Sequence, residues 1–150
     1  MKKGIWPAMA GLMCLLLSTP AGADATQQLL AAVAQGNVST VEDLLAQGAD
    51  ANAKNGNGRP ALVMAAFNGN VRTVLALLAA GADVNAVDAN GTSALMEAAA
   101  FGHPEVAQAL IQGGADVNLK NSAGVTALKK ANLGKHEDVA AILQEAGGSE

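Results

Sequence analysis

His103 and His136 are the only histidines in the chain, and imidazole is the side chain best suited to moving a proton or holding a metal near neutral pH. Either task needs partners that converge on the ring. Instead the two stand 33 residues apart in matching surroundings, each just before a helical pattern. That position assigns them to holding a turn at a helix start. Asp50, Asp83 and Asp116 repeat at the same interval. Carboxylates can serve acid–base catalysis or a hard cation when two or more share a site. Equivalent places in successive units give a spaced row, so each Asp is expected to accept from the N–H groups of its own turn. His136-Glu137-Asp138 is not expected to bind metal, because three consecutive residues at a helix start point in different directions. No phosphate-cradling glycine loop, zinc spacing or activated serine is present. The sequence thus offers no catalytic residue, no cofactor site and no metal site.

Thiol chemistry is confined to Cys14, and Cys14 falls in a segment built like a secretory signal peptide. Lys2 and Lys3 open it, an apolar run follows from Ala8 to Leu17, and Ser18-Thr19-Pro20 leads to the small triplet Ala21-Gly22-Ala23. The run is about ten residues, short of the ~20 that span a bilayer. Cys14 lies inside the run rather than after it, which argues against a lipoprotein. Cleavage is expected after Ala23, with Ala25 the alternative. Export by this route points to the periplasm, with secretion the second choice. Residues 24–150 then carry 7 basic and 13 acidic residues and no cysteine, so a disulfide or thiol nucleophile is excluded.

Composition limits the fold. Only 2% of residues are aromatic, while alanine occurs 34 times. A core of that kind is assembled from helices whose backbones approach closely, and not from a β-sandwich or barrel, which favours β-branched and aromatic residues. The net charge of −4 and the scarcity of stacking rings exclude a nucleic-acid binder.

A period of 33 residues organises the rest. Gly-Ala-Asp recurs at 48–50, 81–83 and 114–116; Gly36, Gly69 and Gly102 form a second column, and Gly58, Gly91 and Gly124 a third. Leu29, Leu62, Leu95 and Leu128 make one leucine series, and Leu44, Leu77, Leu110 and Leu143 another. Within a unit the pattern predicts a short apolar helix (near 94–101 in the third), a glycine break and a second helix near 104–112. Asn37, Asn70 and His103 stand where a side chain caps the second helix, and Gly81 and Gly114 where such a helix ends. Neither helix is long enough to stand alone, so each unit buries its apolar face on its neighbours. The units run roughly 24–54, 55–87, 88–120 and 121–150, with the first starting near Thr26. Terminal units of such an array are atypical. The fourth has Lys129-Lys130-Ala131-Asn132 in place of Met96-Glu97-Ala98-Ala99, and Lys135 in the glycine column with Gly134 one place early.

Segments such as Gly91-Thr92-Ser93-Ala94-Leu95-Met96-Glu97-Ala98-Ala99, Gly102-His103-Pro104-Glu105-Val106 and Gly114-Ala115-Asp116-Val117-Asn118 closely resemble the ankyrin repeat, over essentially all of 25–150. The resemblance implies an all-α repeat: an ankyrin-type solenoid of about four helix-turn-helix units with projecting hairpin loops. It also implies binding to another protein through the concave face and loop tips; a monomer is expected, with no membrane contact once the leader is removed. Carried over by column, that surface comprises Asn57, Arg59, Phe67 and Asn68 in the second unit, Asp88, Asn90, Thr92, Ala100 and Phe101 in the third, and Ser122, Val125 and Leu133 in the fourth. Phe67 and Phe101 are the only rings outside the leader, which makes them the expected anchors. Small exported bacterial ankyrin proteins, which this chain resembles, suggest an accessory or protective partner of a periplasmic protein or enzyme, with catalase-type enzymes one client class. The alternative is a secreted effector or inhibitor acting on a protein of another cell.

Overall fold

The computed structural model describes residues 21–150. The expected leader therefore lies outside the described residues, except that 21–23 open the first helix. Eight helices follow in order: α1 (Ala21–Gln35), α2 (Val38–Ala46), α3 (Ala61–Asn68), α4 (Val71–Ala79), α5 (Ala94–Phe101), α6 (Pro104–Gln112), α7 (Ala127–Leu133) and α8 (Glu137–Glu145). The expected helices of the third unit agree with α5 and α6. α1 continues upstream of Thr26 to Ala21, the first of the described residues.

The helices pack in two rows. One row is α1, α3, α5 and α7, and the other is α2, α4, α6 and α8, with the two helices of each unit packed together. The first row is thin because its inner positions are alanine: Ala61, Ala65, Ala66, Ala94, Ala98, Ala99 and Ala131 are buried to 2% exposure or less. Leu62 and Leu95 of this row, and Leu77, Leu110 and Leu143 of the other, are equally buried. Each such leucine contributes about 1.5–3 kcal/mol relative to exposure. The two leucine series are thus the two sides of one continuous core.

Side-chain caps mark the starts of α2, α4, α5 and α7. Asn37 Oδ1 accepts from the Thr40 amide (3.3 Å) and Asn70 Oδ1 from the Thr73 amide (3.2 Å), as their positions predict. Ser93 Oγ and Thr126 Oγ1 do the same for α5 and α7. His103 departs from expectation. Its ring makes no cap bond to α6, which instead starts on Pro104, a residue with no N–H to satisfy.

Between units the chain forms short hairpins, the first two each closed by one antiparallel bridge, Lys54 with Pro60 and Val87 with Ser93. A side-chain oxygen in the first leg folds each tip. Asn55 Oδ1 accepts from the amides of Asn57 and Arg59, Asp88 Oδ1 from Asn90 and Thr92, and Asn121 Oδ1 from Ala123 and Val125. The periodic aspartates make the local bonds expected of them: Asp50, Asp83 and Asp116 accept from the amides of Asn52, Asn85 and Asn118 at 2.9–3.0 Å.

A second set of bonds joins unit to unit, and the sequence reading missed it. Asn52 Oδ1 accepts from the Asp83 amide (2.7 Å), Asn85 Oδ1 from the Asp116 amide (2.7 Å) and Asn118 Oδ1 from the Ser149 amide (2.8 Å). Asn52 and Asn118 also donate to the carbonyls of Gly81 and Gly147, both at 3.2 Å. The signal was available, since Asn52, Asn85 and Asn118 form a column at the 33-residue period.

Candidate functional site

The two histidines serve this inter-unit framework. His103 Nε2 lies 3.1 Å from the Phe67 carbonyl and His136 Nε2 lies 3.1 Å from the Ala100 carbonyl, each one unit back. Nε2 must carry the proton to donate to a carbonyl oxygen, so the geometry selects that tautomer. Asn70 fills the same place one unit earlier and donates to the Gly36 carbonyl (3.3 Å).

These rings explain the glycine column before each second helix. Gly69 and Gly102 have φ of 71° and 69°, in the left-handed region. A Cβ on Gly69 would also lie 2.6 Å from the His103 ring, and one on Gly102 would collide with the His136 ring. At Gly69 and Gly102 the glycine therefore answers two needs at once. Lys135 holds the same place in the fourth unit with φ of 59°, and no following ring in the described chain packs on it. Only the conformational need remains there, and lysine meets it at the cost of left-handed strain.

The side of the first-helix row carries the exposed rings. Phe67 and Phe101 are 40% and 50% exposed, and they meet edge to face across two units with centroids 4.6 Å apart. Their numbers differ by one more than the period, so Phe101 sits one residue beyond the column of Phe67. That offset turns one ring edge toward the other face. The Arg59 guanidinium lies 4.8 Å from the Phe67 centroid and pairs with Glu97 at 3.1 Å. Glu97 is nearly buried, at 11% side-chain exposure, and Arg59 joins it from the hairpin of the preceding unit. An open groove of about 500 Å³ runs beside this pair, lined by Asn57, Arg59, Asp88, Asn90, Glu97 and Lys130 among others.

The expected surface residues are accordingly sorted. Asn57, Phe67, Asn68, Asn90, Phe101, Ser122 and Leu133 are exposed, and Arg59, Asp88, Ala100 and Val125 are half-buried. Ser122 is tied to the preceding hairpin through the Asn90 carbonyl. Thr92 requires correction: it is 6% exposed and forms the floor of the groove. Its amide donates to Asp88 Oδ1 and its carbonyl accepts from the Asp88 amide, which pulls it to the root of the hairpin. Asp88 likewise spends one carboxylate oxygen on its own turn. Glu97 was absent from the expected surface; its contact with Arg59 spans 38 residues and has no local signal.

Among the described residues, no group of three or more His, Cys, Asp or Glu is placed to hold a metal ion. No described helix is long and apolar enough to cross a membrane.

Paired antiparallel helices, side-projecting hairpins and a fixed register define a helical repeat solenoid. Comparison with known families matches residues 29–121 to ankyrin repeats, in three copies. That stretch is more than half of the chain, and the chain belongs to the ankyrin-repeat family. A search among curated proteins finds no match. Ankyrin-repeat proteins are typically non-enzymatic, and ankyrin repeats imply a scaffold for protein–protein interaction.

Proposed function

We propose that this protein is an exported, periplasmic scaffold that binds one client protein through the side of its first-helix row, non-covalently and as a monomer. The observation that carries the reading is the Phe67–Phe101 pair, two half-exposed rings set against each other beside the half-buried Arg59–Glu97 ion pair. Aromatic and arginine side chains anchor protein interfaces disproportionately. A soluble chain with only these two rings outside its leader, both held partly in water, gives up burial it could otherwise gain. The leader-like start supports export, and the absence of cysteine beyond Cys14 suits an oxidising compartment. The action proposed is accessory, protecting or restraining an exported protein, with catalase-type enzymes kept as a client class by resemblance alone.

Tagged protein recovered from the osmotic-shock fraction is expected to bring down a discrete client. The Phe67→Ala/Phe101→Ala variant is expected to lose that client while keeping its helical circular dichroism. Equal recovery by a folded double variant refutes the site. Recovery of the protein from culture supernatant alone refutes the periplasmic assignment.

A further inference from the structure

Asparagine followed by glycine is chemically labile, because glycine leaves the backbone free to fold onto the side chain. The glycine amide nitrogen attacks the asparagine Cγ, the N–Cγ bond forms and ammonia leaves. Water then opens the resulting succinimide at either carbonyl, which leaves an aspartyl or an isoaspartyl link. No oxidant, reductant or enzyme is required. The chain holds four such pairs: Asn55-Gly56, Asn57-Gly58, Asn68-Gly69 and Asn90-Gly91. The side-chain amide must swing onto the next nitrogen, and that nitrogen must be free, so hydrogen bonds to either group slow the attack.

The fold restrains the four pairs unequally. Asn55 is held by its side chain: Oδ1 accepts from the amides of Asn57 and Arg59 at 3.0 Å, and Nδ2 donates to Met64 Sδ. Asn68 Nδ2 donates to the Val33 carbonyl (3.2 Å), and the Gly69 amide is bonded to the Ala66 carbonyl at the end of α3. At the third site the Gly91 amide donates to the Asp88 carbonyl (3.0 Å). The Asn90 carbonyl, part of the same peptide plane, accepts from the amide and hydroxyl of Ser122 in the next hairpin. That plane is clamped from both sides.

Asn57 lacks these restraints. Its side chain is exposed and makes no hydrogen bond with the described chain, and its carbonyl accepts none. Ala89 stands in the column of Ser122 and makes no bond back to it. A single bond guards the pair, from the Gly58 amide to the Asn55 carbonyl (2.9 Å).

We infer that Asn57 is a spontaneous modification site, and that its conversion alters the surface assigned to the client. A new carboxylate appears in the groove lined by Arg59, Asp88, Glu97 and Lys130. The isoaspartyl link also adds a methylene to the backbone between 57 and 58, inside the span whose two amides Asn55 Oδ1 gathers. The second of those amides belongs to Arg59, so the base of the side chain that reaches Phe67 and Glu97 is displaced. This effect on the client rests on the binding reading above; the modification site itself does not.

The test is to hold the purified protein at mildly alkaline pH and sample it over days by peptide mapping, with fragment spectra that assign the gain in mass to each asparagine. Asn57 is expected to convert first, ahead of Asn90 by about two- to tenfold, the factor that one further hydrogen bond is worth. In urea the four pairs should converge and the native order should vanish. Conversion of Asn55, Asn68 or Asn90 as fast as Asn57 in the folded protein overturns the site. So does an inert Asn57 in a folded protein whose unfolded form converts there. Anion exchange then separates the converted form, which carries one more negative charge. It is expected to bring down several-fold less client than the unconverted fraction of the same batch, and equal capture overturns the effect on the surface. If neither fraction captures a client, the scaffold reading fails, while the mapping still decides the site.

Discussion

Replacing Gly69 by alanine separates the two demands on the glycine columns. The substitution keeps φ at +71° and places a methyl group 2.6–2.9 Å from three atoms of the His103 ring. Holding alanine in the left-handed region costs about 1–2 kcal/mol, offset by about 0.4–1 kcal/mol because alanine has less freedom when unfolded. Gly124→Ala carries the same conformational burden, with φ of +72°, but its Cβ meets nothing within 4 Å. The ring contact is therefore the difference between the two variants. His103 must swing away from the Phe67 carbonyl, losing a bond of 3.1 Å. One such bond is worth about 0.5–1.5 kcal/mol. Loss of ring packing against the preceding unit adds a similar amount, so Gly69→Ala is expected to exceed Gly124→Ala by about 1–2 kcal/mol. Urea unfolding followed by far-ultraviolet circular dichroism gives both numbers. In a His103→Ala background the excess should vanish, which a double-mutant cycle reads directly. Equal costs for the two glycine variants, or an excess that survives removal of the ring, refute the reasoning.

Other expectations follow from the same contacts. Lys135→Gly should stabilise the fold by up to about 1 kcal/mol, seen as a higher thermal midpoint, because it relieves the only positive φ on a non-glycine residue among those described; a drop in the midpoint contradicts this. Asn52→Ala, which removes bonds to the Asp83 amide and the Gly81 carbonyl, should cost about 1–2 kcal/mol in urea titration. Arg59→Ala should cost about 1–3 kcal/mol by stranding the nearly buried Glu97 carboxylate, and Arg59→Ala/Glu97→Ala should recover part of that loss. Finally, N-terminal mass spectrometry of the exported protein should start at Asp24; the mature chain then lacks Trp6 and barely absorbs at 280 nm.

The repeat was legible because its glycines and leucines answer requirements that recur in every unit. Gly69 needs a positive φ and Leu77 a dry pocket wherever they occur in the array, so both return at a fixed interval. The helix pair of the third unit could be placed for the same reason. Contacts between units were less visible. A histidine at a helix start reads as a cap, and only the packed array shows that His103 reaches back to the Phe67 carbonyl. The Arg59–Glu97 pair depends on how one hairpin leans over the next unit's helix, which no local pattern encodes. Phe67 and Phe101 could be placed on one side from their nearness to the glycine turns. Their edge-to-face contact required the angle between neighbouring units. Thr92 was misjudged because hairpin residues default to exposure, whereas Asp88 draws both of its backbone groups inward.

The central claim is that the client meets the side of the first-helix row. A photo-crosslinking residue placed at Phe101 in exporting cells is the most direct test, paired with the same residue at Leu75. Both positions are 50% exposed, but Leu75 lies on α4 in the opposite row. The account predicts a discrete covalent adduct from position 101 and none from position 75. An adduct from 75 with none from 101 contradicts it.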